Sequence, residues 1–306
     1  MDLSIILASY NRRDYIIGAL DSLYRQTLPK ESFEVFVVDN NSQDDTEALC
    51  KQYIADHPDA SIHFLMEKRQ GASFARNTGA AKARGKWLVF MDDDALAYPD
   101  FLQKIIAFYR THVDAGGLGG RIIPKYIPSE PRWMSRYVSS MVGNFDYSPE
   151  TVEFAPLGYP LESNMVISKS DFDMAGGFNT SLPGVSGNYR IGGEGKALFY
   201  KLKAMGRTIW YDPNVIVEHV VEVNKLTREY LYRVASGQGR GDGVRTRALG
   251  KGAYYKKIVV YVFKLAGSII IGLGYALGGK PSKSLPVIRF KWDALRGLLD
   301  SAHITL

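Results

Sequence analysis

Short apolar runs alternate with amphipathic stretches through the first hundred residues. Ser4–Ala8, Phe33–Val38, Ile62–Met66 and Trp87–Met91 have the length and composition of buried strands. Between them lie segments of helical character. Asp14–Gln26 is the first, with Pro29 beyond its end. The second opens at Asp44 or Asp45 and runs to about His57-Pro58. The third is Ser73–Arg84, with Gly85 as its cap. Alternating strand and helix predicts a parallel sheet with helices on its faces. Ligands of such sheets bind beyond the carboxyl ends of the strands, where the strand order reverses. Three of these strands end in polar residues: Ser9-Tyr10-Asn11, Asp39-Asn40-Asn41 and Asp92-Asp93-Asp94.

Further along, Pro99–His112 carries apolar residues at helical spacing, and Gly116–Tyr126 is expected to be a glycine-rich loop running into a strand. No clean period survives between Pro128 and Pro160, which suits a variable loop region long enough to be functional. A helix is expected from the glycine pair at 192 and 193 to Gly206. After His219 the character changes. Nine basic residues lie between Lys225 and Lys257, against Glu229 and Asp242. Ile258–Gly278 is then apolar except for Lys264 and Ser268. A helix lying on an anionic membrane face fits this segment better than a membrane-spanning one. The alternative is a helix packed on the protein's own core or on a second subunit. Ser236–Arg240 is expected to be a ligand-facing loop.

Composition narrows the classes. The 306 residues are enough for one large domain or two small ones. A net charge of +6 favours a polyanionic partner such as nucleic acid, nucleotide phosphates or an anionic membrane. One cysteine, Cys50, excludes an internal disulfide and a thiolate zinc site, and fits a reducing compartment. The first residues lack a basic start and a long apolar run, so no secretory leader is expected. There is no Gly-x-Gly-x-x-Gly after the first strand and no Gly-Lys-Ser/Thr, which argues against a dinucleotide cofactor and P-loop phosphoryl transfer.

The consecutive carboxylates of Asp92, Asp93 and Asp94 repel one another unless a charge offsets them. Oxygen ligands suit Mg²⁺ or Mn²⁺. In extended backbone Asp92 and Asp94 point to one side and Asp93 to the other, so the first and third can share a ligand. A solvated acidic turn capping the next helix is the plainer alternative.

Four blocks stand in order: Ile6-Leu7-Ala8-Ser9-Tyr10-Asn11, Val37-Val38-Asp39-Asn40-Asn41-Ser42-Gln43-Asp44, Gly71-Ala72-Ser73-Phe74-Ala75-Arg76-Asn77-Thr78-Gly79 and Phe90-Met91-Asp92-Asp93-Asp94. Together they resemble the family 2 glycosyltransferases of the GT-A fold. The resemblance continues through Pro160–Ile167, Asp173–Asn179 and the closing strand ending Val217-Glu218-His219, and covers residues 3 to 220. It implies an α/β fold, a Rossmann-like and mostly parallel sheet flanked by helices, with a helical C-terminal extension. The transferase domain would be 1–222, divided into a nucleotide-binding half 1–98 and an acceptor half 99–222. Residues 223–306 would form the basic, helical region.

The resemblance also implies roles. Ala8, Ser9, Tyr10 and Asp39 would hold the base and ribose of a nucleotide sugar, with a UDP-sugar as the expected donor. Arg69 and Arg76 would lie near the base or phosphates. Asp92 would face ribose or metal, Asp94 would hold the metal, His219 would complete its site, and Asp93 would belong to the donor site. Mn²⁺ or Mg²⁺ would be the cofactor. The acceptor would be a glycan or lipid-linked sugar of a surface polysaccharide, met in the cytoplasm at the inner face of the membrane. No nucleic acid is expected as partner. One departure stands out. The family usually has Glu-Asp at positions 194 and 195, the aspartate being the general base, and here position 195 is glycine. Glu194 is then the expected base of an inverting transfer. Otherwise Glu194 only supports the helix N-terminus, or the chain binds sugar nucleotide or glycan without turnover.

Overall fold

The computed structural model describes residues 1–180, 184–186, 189–191 and 193–301. Gly192, part of the pattern noted at the start of the expected helix, lies outside them. The chain divides into two compact units.

The first comprises Met1–Ile123, Phe145–Leu182 and Gly193–Val220. Its strands are β1 (Leu3–Ser9), β2 (Phe33–Asp39), β3 (Ile62–Met66), β4 (Trp87–Asp92), β5 (Ala95–Ala97), β6 (Ala115–Tyr126), β7 (Val152–Glu153) and β8 (Met165–Ser168). β9 (Gly184–Ser186) and β10 (Tyr189–Ile191), in the second unit, form a separate antiparallel pair, and β11 (Thr208–Val221) belongs to the main sheet. The order is β3-β2-β1-β4-β8-β6-β11-β5, with β7 also on β11. β3, β2, β1 and β4 are parallel; β8 runs antiparallel to β4 and to β6.

The parallel strands are apolar on both faces because helices cover both. Leu3, Ile5 and Leu7 of β1 join one core, with side chains from α1 (Ile16–Tyr24), α2 (Thr46–Asp56) and α4 (Phe101–Thr111). Ile6 joins the other, with α3 (Ala72–Lys82), α5 (Lys169–Ala175) and α6 (Glu194–Ala204). The strand order reverses between β1 and β4, which puts the end of β1 beside the acids.

Two expectations about this unit need correcting. Gly85 does not cap α3, which ends at Lys82 with Ala83 as its C-cap. It passes against β1, where a Cβ would lie 2.6 Å from the Leu3 carbonyl carbon and the Ser4 nitrogen. The glycines after Gly116 are not a loop; they lie within β6. They are small because bulky neighbours press on the strand: a Cβ on Gly119 would meet Pro160 at 2.7 Å, and one on Gly117 would meet Phe199 at 2.9 Å.

The second unit comprises Pro124–Asn144, Pro183–Gly192 and Val221–Leu306. Its main helices are α7 (Arg228–Ala248), α8 (Lys251–Leu277) and α9 (Pro281–Asp300). Ser236–Arg240, expected as a loop, is the middle of α7. The small residues serve helix contact. A Cβ on Gly239 would lie 1.9 Å from the Ala294 carbonyl oxygen, and one on Gly297 would lie 2.1 Å from that of Ser236, so α7 and α9 touch backbone to backbone. Met134, Val138 and Val142 pack into the same core.

Candidate active site

The ends of β1, β2 and β4 are aligned by register. Ser9 lies opposite Asp39 and Ala8 opposite Asp92. The loops beyond them are tied together. Asn40 donates its backbone N–H to the Ser9 carbonyl at 2.7 Å. Asn11 and Asn41 both have positive φ, 54° and 64°, a conformation asparagine tolerates better than most residues. Asn11 donates its N–H to Ser42 Oγ at 2.8 Å and accepts from the Gln43 N–H at 2.7 Å. The Asp39 carboxylate accepts from the Ser42 hydroxyl and, at 3.1 Å, from the Ser42 N–H. Ser9 and Asp39 are buried, whereas the Tyr10 side chain is exposed.

The acids sit at the point where the strand order reverses. Asp92 ends β4, and Asp93 and Asp94 form the turn into β5. β11 runs antiparallel to β5 and pairs His219 with Ala95, so the imidazole meets the acids. His219 Nε2 is 3.1 Å from Asp94 Oδ1. Arg76, on α3, reaches Asp92 Oδ1 at 3.2 Å, and the Ser163 hydroxyl donates to Asp92 Oδ2. Arg12 lies 3.5 Å from Asp93 and 3.8 Å from Asp94. Burial pushes the Asp93 carboxyl up to about 7. The adjacent Asp94 charge adds to the rise, and Arg12 opposes it.

Asp92, Asp94 and His219 each offer a ligand atom, all within 4.8 Å of one another. The donor set, two carboxylates and an imidazole, fits a divalent cation of the Mn²⁺ type. The 3.1 Å between His219 Nε2 and Asp94 Oδ1 also fits, since adjacent octahedral ligands at about 2.1 Å from an ion lie about 3 Å apart.

Arg69 is placed differently from Arg76. Its guanidinium makes two bonds to Glu67, at 2.6 and 2.9 Å, and is largely exposed. The Arg69 bond is the main cause holding the Glu67 carboxyl down at about 2; burial opposes it and Thr78 assists. The loop is nevertheless fixed beside the end of β2. The Asn40 amide donates to the carbonyls of Glu67 and Arg69 at 2.9 and 2.7 Å, and accepts from the Gly71 N–H at 2.8 Å.

Glu194 opens α6 and is buried. Its Oε2 turns back to accept the N–H of Gly193 at 2.9 Å. The N–H of Gly195 donates instead to Glu162 Oε1 at 3.0 Å. Sequence reading missed Arg12, Ser163 and Glu162. Arg12 follows the polar end of β1 directly, and Glu162-Ser163 precede β8 within a stretch that otherwise only anchors the resemblance. Position alone marked Arg12, and nothing in the sequence marked the other two.

Comparison with known proteins adds the following. The model of glycosyl transferase family 2 matches residues 4–173. The minor teichoic acid biosynthesis protein GgaB of Bacillus subtilis is 31% identical over 111 residues, covering 36% of this chain and 12% of GgaB. The chain spans less than two thirds of the length of the curated relatives it matches. Among solved structures, the mannosyltransferase PcManGT of Pyrobaculum calidifontis, in complex with GDP-Man and Mn²⁺, superposes with a TM-score of 0.66 at 19% identity, covering 97% of this chain and 86% of that one. Residues 1–349 of Staphylococcus aureus TarS with UDP-GlcNAc give 0.56 at 18% identity, covering 97% and 92%. These structures share the GT-A fold with the chain.

Proposed function

The chain belongs to glycosyl transferase family 2, and from this premise we propose that it is a metal-dependent, inverting glycosyltransferase using a nucleotide-sugar donor. One observation carries the reading: Asp92, Asp94 and His219 converge beyond the parallel strands, with Arg12 and Arg76 among the acids. A cation held by those three residues would supply positive charge for the diphosphate.

The protein's own groups divide the remaining work. Asp39, at the end of β2, accepts hydrogen bonds from the nucleoside, a task for which a carboxylate is suited. Ala8, Ser9 and Tyr10 form the wall beside it. Arg76 and Arg12 balance part of the negative charge and orient the phosphates; fixed charges of this kind favour departure of the diphosphate. Asp93, buried beside Arg12, precedes Asp94 in the turn after β4. A carboxylate at the start of α6 takes the proton of the acceptor hydroxyl. Glu194 and Glu162 both reach that position.

The name of GgaB and the donors bound by the solved relatives support a sugar acceptor in surface polysaccharide synthesis and a UDP- or GDP-sugar donor. α8 is the one helix among the described residues long and apolar enough to cross a membrane. Only Tyr261, Ser268 and Gly272 of it are buried, while Phe263, Ile270, Leu273 and Leu277 stand exposed. With lysines beside them, these residues suit a lipid-linked acceptor met in the cytoplasm at an anionic membrane face.

The test is release of nucleoside diphosphate from UDP-, GDP- and dTDP-sugars with Mn²⁺ or Mg²⁺. Release that requires the cation and fails in Asp94→Asn supports the reading. Release unaffected by chelation would remove metal dependence from it. For the membrane, sedimentation with phosphatidylglycerol vesicles but not phosphatidylcholine vesicles is expected, and equal recovery with both would refute the charge argument.

A further inference from the structure

The volume a side chain at position 195 would occupy is already filled. A Cβ on Gly195 would lie 2.6 Å from Glu162 Oε1 and 2.9 Å from its Cδ, closer than unbonded atoms approach. The Gly195 N–H donates to the same Oε1 at 3.0 Å. A carboxylate from the turn before β8 therefore stands where an aspartate side chain on α6 would begin.

The two glutamates at this point are not equivalent. Glu194 is 7% exposed, and its carboxylate is folded back on Gly193. Glu162 is half-buried, and among the described residues its Oε2 accepts no hydrogen bond. Ser163, next in the chain, donates to Asp92. One dipeptide thus links the start of α6 to the acid cluster, with Glu162 on the first and Ser163 on the second. A carboxylate at a helix N-terminus is also favoured by the helix dipole.

We propose that Glu162 is the catalytic base of the transfer, replacing from a different segment the aspartate that the family pattern has at position 195. This rests on the transferase reading. The acceptor hydroxyl gives its proton to Glu162 Oε2. The oxygen's electron pair forms the new bond to the anomeric carbon. The bond from that carbon to the phosphate oxygen breaks, and its electron pair leaves with the nucleoside diphosphate. Glu162 then returns the proton to solvent. The same reading accounts for Gly195: a side chain there would push the Glu162 carboxylate out of its present position.

The experiment compares wild type, Glu162→Gln, Glu194→Gln, Glu162→Gly and the double variant Glu162→Gly with Gly195→Asp. Donors are UDP-GlcNAc, UDP-glucose and GDP-mannose with Mn²⁺. Nucleoside diphosphate release is followed with water as acceptor, alongside donor affinity by calorimetry and thermal unfolding. Glu162→Gln keeps the oxygen that faces Gly195. Its kcat is expected to fall roughly 10²–10⁴-fold, with donor affinity and Tm unchanged. Glu194→Gln should fall less than about tenfold, below the usual range for loss of a base. The double variant, which moves the carboxylate onto α6, should regain at least about tenfold over Glu162→Gly, a part of what a base contributes. Glu162→Gln with near wild-type kcat, while Glu194→Gln is inactive, would overturn the assignment and leave the transferase reading standing. Loss of donor affinity and Tm together with kcat would make Glu162 a structural support only. A wild type that neither binds nor cleaves any donor would remove the transferase reading, and the assignment with it.

Discussion

One buried aspartate and a cluster of three acids handle their charge in opposite ways. In the helical unit, Asp242 of α7 is met by Arg245 at 2.5 Å, by Lys257 at 2.8 Å and by the Tyr261 hydroxyl at 2.9 Å. Burial alone would raise its carboxyl, but the bonds from Lys257 and Arg245 overcome this and hold it down at about 2. In the sheet unit, three acids share Arg12, Arg76 and His219, and Asp93 is pushed up to about 7. The first site is complete within the protein. The second crowds three carboxylates at one strand end, where Asp92, Asp94 and His219 form a group that could hold a metal ion. A buried charge paired on all sides supports the fold, and a crowded acidic cluster with a shifted carboxyl marks a candidate site.

The contrast can be broken by substitution. Asp94→Asn is expected to reduce nucleoside diphosphate release about 10³-fold, some 4 kcal/mol of barrier, without lowering Tm, because it relieves repulsion. A matching fall in Tm would make Asp94 structural. Asp242→Asn should do the reverse. It leaves Arg245 and Lys257 facing a neutral group, at a cost of about 3 kcal/mol in urea unfolding, and leaves the response to Mn²⁺ intact. The sign with pH follows from the depressed carboxyl. Asp242 stabilises fully above the ordinary aspartate range, near 4, and loses its contribution as pH falls toward about 2. The stability gap between wild type and Asp242→Asn should therefore narrow from pH 5 to pH 3; a constant gap would mean that packing, not charge, sets it.

The smallest effect separates the sites most sharply. Mn²⁺ at ten to a hundred times its dissociation constant should stabilise the wild type by about 1.4–2.7 kcal/mol, and Asp94→Asn by much less. Equal gains in both, followed by differential scanning fluorimetry, would place the cation elsewhere.

Legibility in the sequence followed the range of the interaction. β3 was expected with the bounds it has, since a strand between turns is a local pattern. The grouping of Asp92 with Asp94 was visible in their spacing and that of His219 only through the family resemblance; the structure brings the three together. The glycines of β6 and α7 were misread for one reason. Each is small because of a partner far along the chain, Pro160 for Gly119 and Ala294 for Gly239, and no window around the glycine contains that partner. Glu162 was missed likewise. Its carboxylate matters through Gly195, across a turn and a helix, so the sequence displayed the missing aspartate and concealed what fills the space.

The pairing of β11 with β5 has a consequence in time. His219 reaches Asp94 only through that pairing, and it is encoded long after the acids. On a ribosome adding roughly 5–20 residues per second, it is made on the order of ten seconds after Asp94. During that interval the growing chain carries its acids with neither their imidazole nor the closing strand. The group of Asp92, Asp94 and His219 therefore comes together late, when β11 brings β5 into the sheet, and its appearance during synthesis would mark the moment at which the sheet becomes whole.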